Sequence, residues 1–530
     1  MNVNMILVGS NPMPCYVQAA YLMEPGRDED ELLPVPDLHI LLYTKETEKF
    51  KGNLIHALCK KNVLQKDQNG ELKKRDAEAY QVGRGMKRRI RTWEERTLPE
   101  DQNYRAYRNT QIEQIKLRDI SNPMMIMDDL GNLEELFSRL TDNRMDIRKV
   151  ILNNTGGTKT MATYVTLWLR QKACSPGYNF SLTECYVDDK NKKLCCYIHG
   201  ETKETCFQTY PSVNLTDIVV LRIPEVARLH GFGSYSSKEP YFAANEERRE
   251  AVRYFAGKIF DESEEKLHSA EGEEPRVYYE RYSKLLSRYR YLQNRELKKY
   301  FKGLCVDHSQ YLFDGLSKNT DLGEIIKEKE RLLYHNSIEL ADDLRRILCS
   351  PERTDDRSQG SGSKNPAGDS HPFLEKDSQR LLTGEWLEAY FYIAVKEAIR
   401  RSGKKNVDLA WSVVIDAEGD TNNPKNFELD VVVCVGYELK ILSITTDDTP
   451  GGGKLKYFEA LFRGEIISGS HSQVIAVNLI DTDNREMTRI RDDLRSFSAA
   501  NYRQAEVWGK QDISDYEILV DKIKRILTMG

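Results

Sequence analysis

The sequence predicts an α/β protein made of more than one unit, and three observations carry that reading. Near the N-terminus short apolar strands alternate with helical periodicity, the βαβα rhythm of a parallel, helix-covered sheet. Within that unit Lys149-Val-Ile-Leu-Asn-Asn-Thr-Gly-Gly-Thr-Lys-Thr-Met161 reads as strand, Gly-Gly turn and helix without interruption. Toward the C-terminus an amphipathic helix is followed by a strand and then a hairpin, a second α/β pattern.

Bulk properties bound this picture. The 530 residues exceed what one core usually supports, so two or three domains are expected. With 40% apolar and 30% charged residues the composition is that of a soluble globular protein. A net charge of −5 argues against unselective coating of nucleic acid, though it leaves room for a local basic groove. Apolar runs fall far short of the ~20 residues a membrane span needs. Met1-Asn-Val-Asn-Met-Ile-Leu-Val8 has no basic leader, so a cytoplasmic protein is expected. The ten cysteines are scattered and show no zinc spacing, which reads as buried thiols in a reducing compartment.

In chain order, residues 2–9 form strand one, and Pro12 and Pro14 turn it into a helix carrying Val17, Ala20 and Tyr21. Residues 38–44 are a second buried strand, followed by a helix near 52–60. Arg84, Lys87, Arg88, Arg89 and Arg91 form a basic cluster, either a phosphate-facing insertion or a solvated helix face. Residues 128–140 are an amphipathic helix, 182–187 and 193–198 a closing hairpin, and 215–233 a helix leaving the unit. From 239 to 349 the pattern is helical, charged and tyrosine-rich, with Tyr282, Leu285, Leu286, Tyr289 and Leu292 on one core-like stripe. Pro351 opens a Gly/Ser/Asp/Arg-rich linker. The expected division is 1–235, 236–350, 351–371 and 372–530.

The Gly-Gly turn carries chemistry. A helix that starts there aims unpaired N–H groups and a positive dipole end at one point, which favours an anion. Lys159 adds a formal charge, and Asn154, Thr155 and Thr158 add hydrogen-bonding side chains around Gly156 and Gly157. A nucleotide P-loop needs Gly directly before Lys, and Thr158 stands there instead. A plain βα turn with a glycine cap fits the same residues.

Asn153-Asn-Thr-Gly-Gly-Thr-Lys-Thr-Met161 resembles the ligand loop of CARF domains, sensors of cyclic oligoadenylate in type III CRISPR defence. Ile6-Leu-Val-Gly-Ser-Asn-Pro-Met-Pro14 resembles their first strand and its loop. The resemblance covers roughly residues 1–235. It implies a Rossmann-like homodimer whose ligand lies across the two-fold axis, with Ser10 and Asn11 facing it. Some such sensors carry HEPN ribonuclease domains; here Arg331-Leu-Leu-Tyr-His335 is spaced too closely for their Arg…His signature.

In the last unit, Gly384-Glu-Trp-Leu-Glu388 with Asn426-Phe-Glu-Leu-Asp430 resembles the restriction-endonuclease-like PD-(D/E)xK nucleases fused to CARF domains. The resemblance implies Mg²⁺ or Mn²⁺ held by Glu388 and Asp430, since hard cations take carboxylate oxygens. Such a domain should also carry Glu-x-Lys on the second hairpin strand. Glu438-Leu-Lys440 has those letters in the wrong register. With a tight turn at Gly436-Tyr437, Asp430 lies opposite Leu442 or Ser443 and Glu438 near Cys434, too far along at ~3.3 Å per residue to share a metal. Ser443 and Thr445 occupy the expected places. Lys454 or Lys456 from the next helix could supply a lysine, and Asp447 or Asp448 a carboxylate.

Two functions follow. One is a nuclease switched on by cyclic oligoadenylate; the other is a sensor whose nuclease-like domain binds nucleic acid or a partner without cutting.

Overall fold

The computed structural model describes residues 1–24, 33–59, 104–105, 111–142, 146–199, 205–211, 213–238, 240–260, 384–417, 426–446, 450–469, 472–480, 485, 487–493 and 505–528. The basic cluster at 84–91, the stripe at 282–292, Arg331, His335, the linker and Asp447 and Asp448 lie outside the described residues.

Two sheets organise the described residues. The first has eight strands: β1 (Asn2–Leu7), β2 (Leu38–Tyr43), β3 (Tyr104–Arg105), β4 (Gln111–Lys116), β5 (Lys149–Asn153), β6 (Ser181–Asp188), β7 (Lys193–His199) and β8 (Thr205–Tyr210). Their spatial order is β3-β4-β2-β1-β5-β6-β7-β8. The five strands from β4 to β6 in that order are parallel, and β7 and β8 return as an antiparallel meander. Strands covered on both faces read as continuous apolar runs, which is why residues 38–43 and 149–153 are buried throughout. On one face lie α1 (Met13–Met23) and α2 (Glu48–Cys59), and on the other α3 (Pro123–Asp142) and α4 (Lys159–Ala173).

The single helix expected over 215–233 is instead two short helices and a strand: α5 (Leu215–Ile218), α6 (Ile223–Leu229) and β9 (Phe232–Lys238). Gly231, at φ +93°, ends the helical path, a conformation a side chain would strain. The strand β9 then joins the second sheet, straddling the boundary expected at residue 235.

That sheet runs β14-β13-β12-β11-β10-β9, with β10 (Val407–Ala417), β11 (Asn426–Val435), β12 (Glu438–Ile444), β13 (Ser472–Val477) and β14 (Ala505–Trp508). Along β11 the side chains alternate between two cores. Val432 and Cys434 pack toward the first sheet's α1/α2/α6 layer, while Val431, Val433 and Val435 pack toward α7 (Glu246–Phe260), α8 (Trp386–Ser402) and α11 (Tyr516–Thr528). The helix α9 (Pro450–Ser468) contributes Tyr457, Ala460 and Ile467 to the layer between the sheets, and α10 (Lys510–Ile513) leads into α11. The result is five layers: helices, sheet, helices, sheet, helices. Cys15, Cys185, Cys195, Cys196 and Cys434 are buried, as the sequence led us to expect, whereas Cys174 and Cys206 are exposed. No helix among the described residues is long and apolar enough to cross a membrane.

Candidate functional site

The first site forms where β1 and β5 lie side by side. The chain leaves β1 for β2 on one flank while β5 occupies the other, so the loops after these two strands meet at a switch point, the usual ligand crevice of a parallel sheet. Glycine is required there by close approach. An ideal Cβ on Gly156 would lie 2.5 Å from Leu7 O and from Cys15 Sγ, and one on Gly157 would lie 2.8 Å from Leu7 Cβ. Thr158 caps α4 through its hydroxyl, which accepts the Met161 N–H at 3.2 Å. Lys159 is the first helical residue and is exposed with Thr158, in the turn whose N–H groups have no intrahelical acceptor.

The loop is braced from beneath. Asn154 N–H donates to Cys185 O (3.1 Å), Val187 N–H to Thr155 Oγ1 (2.9 Å) and Thr155 N–H to Asn153 Oδ1 (3.0 Å). Asn153 is itself buried with Asn4, Gln18 and His39, Gln18 donating to Asn4 at 2.8 Å. Burial pushes His39 down to about 3, so it serves this network as a neutral ring. Ser10 is exposed on the neighbouring loop. Asn11 is engaged elsewhere: its Oδ1 accepts the Met13 N–H (3.1 Å), His230 Nε2 lies 3.2 Å away, and a Cβ on Gly469 would come within 2.8 Å of its Nδ2.

The second site is a group of four carboxylates and two lysines. Glu385 and Glu388 sit at the start of α8, where the helix dipole favours anions. Glu428 and Asp430 come from β11. Asp430 is buried; its Oδ2 accepts the Ile444 N–H at 2.7 Å and its Oδ1 lies 3.3 Å from Lys456 Nζ. Trp411 Nε1 donates to Glu388 Oε2 at 2.8 Å. Lys238, at the end of β9, stands 3.2 Å from Glu428, 3.6 Å from Glu385 and 5.3 Å from the Trp411 ring centre. Burial, aided by the charge of Asp430, pushes the Glu388 carboxyl up to about 8. Burial also raises Asp430, against the pull of Lys456 and the Ile444 N–H. For Glu428 burial is outweighed by the Ser412 hydroxyl and Lys238, which hold it below the ordinary carboxylate value.

In the hairpin Glu438 pairs with Val435, one step from the Cys434 expected, and Leu439 with Cys434, while Asp430 meets one of its two expected partners. Asp430 lies one residue beyond the Val431–Leu442 pair, level with Ser443. Glu438 is therefore five residues from Asp430 along the strand, roughly 16 Å at 3.3 Å per residue. It is buried against Lys192 of the β6–β7 turn and lies 3.3 Å from Lys440. Of the two candidate lysines on α9, Lys456 reaches Asp430. Lys454 does not, because two helical steps turn it to another face, where it pairs with Asp493.

Glu385 and Glu428 stood within the motifs read from the sequence but without a role; their spacing (i, i+3 on a helix, i, i+2 on a strand) could have assigned them the same faces as Glu388 and Asp430. Nothing local to Lys238 marked it. Among the described residues no three His, Cys, Asp or Glu side chains gather into a metal-binding group. The pair Glu388 and Asp430 nonetheless has the donor chemistry for one hard cation: two carboxylates whose ionisation burial opposes, Glu388 further opposed by the charge of Asp430.

No protein family model matches the chain, and no curated protein matches it. Among the solved structures that the chain matches are two. One is Can2 from Sulfobacillus thermosulfidooxidans in complex with cyclic tetra-adenylate, at 12% identity and TM-score 0.46, covering 98% of this chain and 96% of that one. The other is protein VC1899 from Vibrio cholerae, at 12% identity and TM-score 0.52, covering 100% of this chain and 98% of that one. The likeness to VC1899 runs through both sheets from end to end and shows a shared fold.

Proposed function

We propose that the chain binds cyclic oligoadenylate at the β1/β5 loops and in response cleaves nucleic acid at the Glu388–Asp430 cluster. The observation that carries this reading is the pairing of two neighbouring carboxylates, buried Asp430 and half-buried Glu388, with a lysine, Lys456, on the helix that follows the hairpin. The motif resemblance of the first loop supplies the ligand class. Its geometry supports an anionic ligand: two loops pressed together at a switch point, an open helix start and an exposed Lys159.

Glu388 and Asp430 would hold Mg²⁺ or Mn²⁺, which when bound supplies an activated water and charge stabilisation at the phosphate. The chain's own residues do the rest. Trp411 N–H orients Glu388, Ile444 N–H orients Asp430, and Lys456 places a cation at the edge of the site, where the hairpin offers only Ser443 and Thr445. Glu388 must lose its proton before both carboxylates can serve as ligands.

The test is cleavage of plasmid DNA and single-stranded RNA with Mn²⁺, with and without cyclic tetra- and hexa-adenylate. Ligand-stimulated cleavage that disappears in Asp430→Ala and Lys456→Ala but survives in Lys454→Ala is the expected result. The second reading, a non-cutting module that binds nucleic acid or a partner, is favoured because among the described residues no three carboxylates, histidines or cysteines gather into a metal-binding group. It wins if wild type cuts no more than Asp430→Ala and cutting appears only when Ser443→Glu and Thr445→Lys are combined.

A further inference from the structure

The helix α9 reaches both sites. In its first half Lys456 places its ammonium 3.3 Å from Asp430 Oδ1, and the Lys456 carbonyl accepts the Ser443 hydroxyl at 3.5 Å. Just past its last residue, Gly469 turns left-handed at φ +61° and meets Asn11 on the loop that leaves β1. A Cβ on Gly469 would lie 2.8 Å from Asn11 Nδ2 and 3.1 Å from its Cγ. From Lys456 to Gly469 the path is about 20 Å at 1.5 Å per residue.

Asn11 has no slack to absorb a displacement. Its Oδ1 accepts the Met13 N–H at 3.1 Å and lies 3.2 Å from His230 Nε2, just past the end of α6. Two residues earlier Gly9 presses on the other ligand loop, where a Cβ would fall 1.6 Å from Gly156 O. An anion seated between these loops bears on residues 9–11, and Gly469 is the next group in line. The helix meets the second sheet closely at Gly464, where a Cβ would come 3.0 Å from Ile441 Cδ1 and 3.1 Å from Ser472 Oγ. With no side chain keyed into the sheet at that point, α9 is free to shift along its axis as one body. The contact of Lys456 with Asp430 lies near the outer limit of a hydrogen bond, so a shift of about 1 Å makes or breaks it.

Resting on the nuclease reading above, we propose that α9 is the regulatory element of that site. Asn11 and Gly469 form the joint through which occupancy of the β1/β5 loops sets Lys456 against Asp430. Rigid secondary elements carry such coupling when both sites bias the same arrangement.

The test uses the full chain with Gly469→Ala, and with Gly403→Ala as its control. Both glycines are left-handed, at φ +61° and +66°, but a Cβ on Gly403 meets nothing within 4 Å. The pair therefore separates backbone strain from the push on Asn11. Asn11→Ala removes the other half of the joint and serves if Gly469→Ala loses its cooperative thermal transition. The first readout needs neither ligand nor metal: hydrogen exchange of the amides of residues 454–461, in the far half of α9. Exchange there should change about fivefold or more in Gly469→Ala and Asn11→Ala, and stay at the wild-type rate in Gly403→Ala. The second readout is the ratio of Mn²⁺-dependent cleavage with cyclic tetra-adenylate to cleavage without it. That ratio should fall about fivefold or more in Gly469→Ala, with calorimetric affinity for the ligand changed far less. Exchange that changes only at 464–469 and around Asn11 overturns the proposal, because a local joint would stop there. A folded Gly469→Ala stimulated as strongly as wild type overturns it too. Should wild type neither cut nor respond to cyclic tetra-adenylate, the nuclease reading falls, while the ligand-free exchange still decides α9.

Discussion

Glu388 concentrates the residue-scale physics. It lies in the first turn of a helix, where a carboxylate is ordinarily favoured, yet burial and Asp430 push it up to about 8. An unfolded chain releases that proton near 4.5, so between these values the folded state holds the extra proton. The stability Glu388 contributes is complete below about 4.5 and is lost as pH rises through about 8. Glu388→Gln should therefore match wild type in thermal midpoint near pH 4.5 and exceed it at pH 8.5 in metal-free buffer. A midpoint difference that does not change with pH would show that Glu388 is not held protonated. Sequence pointed to Glu388 and Asp430 because their motifs are local, each five residues long. Lys238 was hidden because its partners lie far along the chain, and only the pairing of β9 with β10 brings them together.

At the scale of elements, what was legible was what period and turn chemistry determine. The strand–Gly-Gly–helix unit is present with Thr158 as its cap, and the tight turn at Gly436-Tyr437 does exclude Glu438 from the site. The glycines proved necessary for a different reason from the one inferred: the loops after β1 and β5 touch, and contact between distant segments leaves no periodic trace. The helix expected over 215–233 failed for a related reason, since its residues serve both as short helices over one sheet and as the edge of another. The loop's exposed cation gives a direct prediction. Lys159→Ala should weaken cyclic oligoadenylate by about 1–3 kcal/mol, the range for a charge-assisted hydrogen bond. Calorimetry that finds equal affinity removes Lys159 from the site, and linear AMP binding as tightly as the cyclic ligand removes the ligand class.

At the scale of the whole molecule, the two sheets share one apolar layer, and Lys192 with buried Glu438 forms a part-buried ion pair between the two units. A ligand lying across a two-fold axis requires a second copy, so a C2 dimer is expected. Light scattering with ligand present should report twice the chain mass of 61.3 kDa; a monomer at micromolar concentration would count against it. One strand has a consequence for how such a protein can be taken apart or recombined. Because β9 is continuous with the first unit but hydrogen-bonded into the second sheet, a cut at residue 235 divides a strand rather than a linker. A fragment starting at 372 would present β10 with a bare edge, open to self-association, and would leave Lys238 behind. Any exchange of units between relatives of this fold has to carry residues 232–238 with the C-terminal piece, because that strand completes the C-terminal sheet.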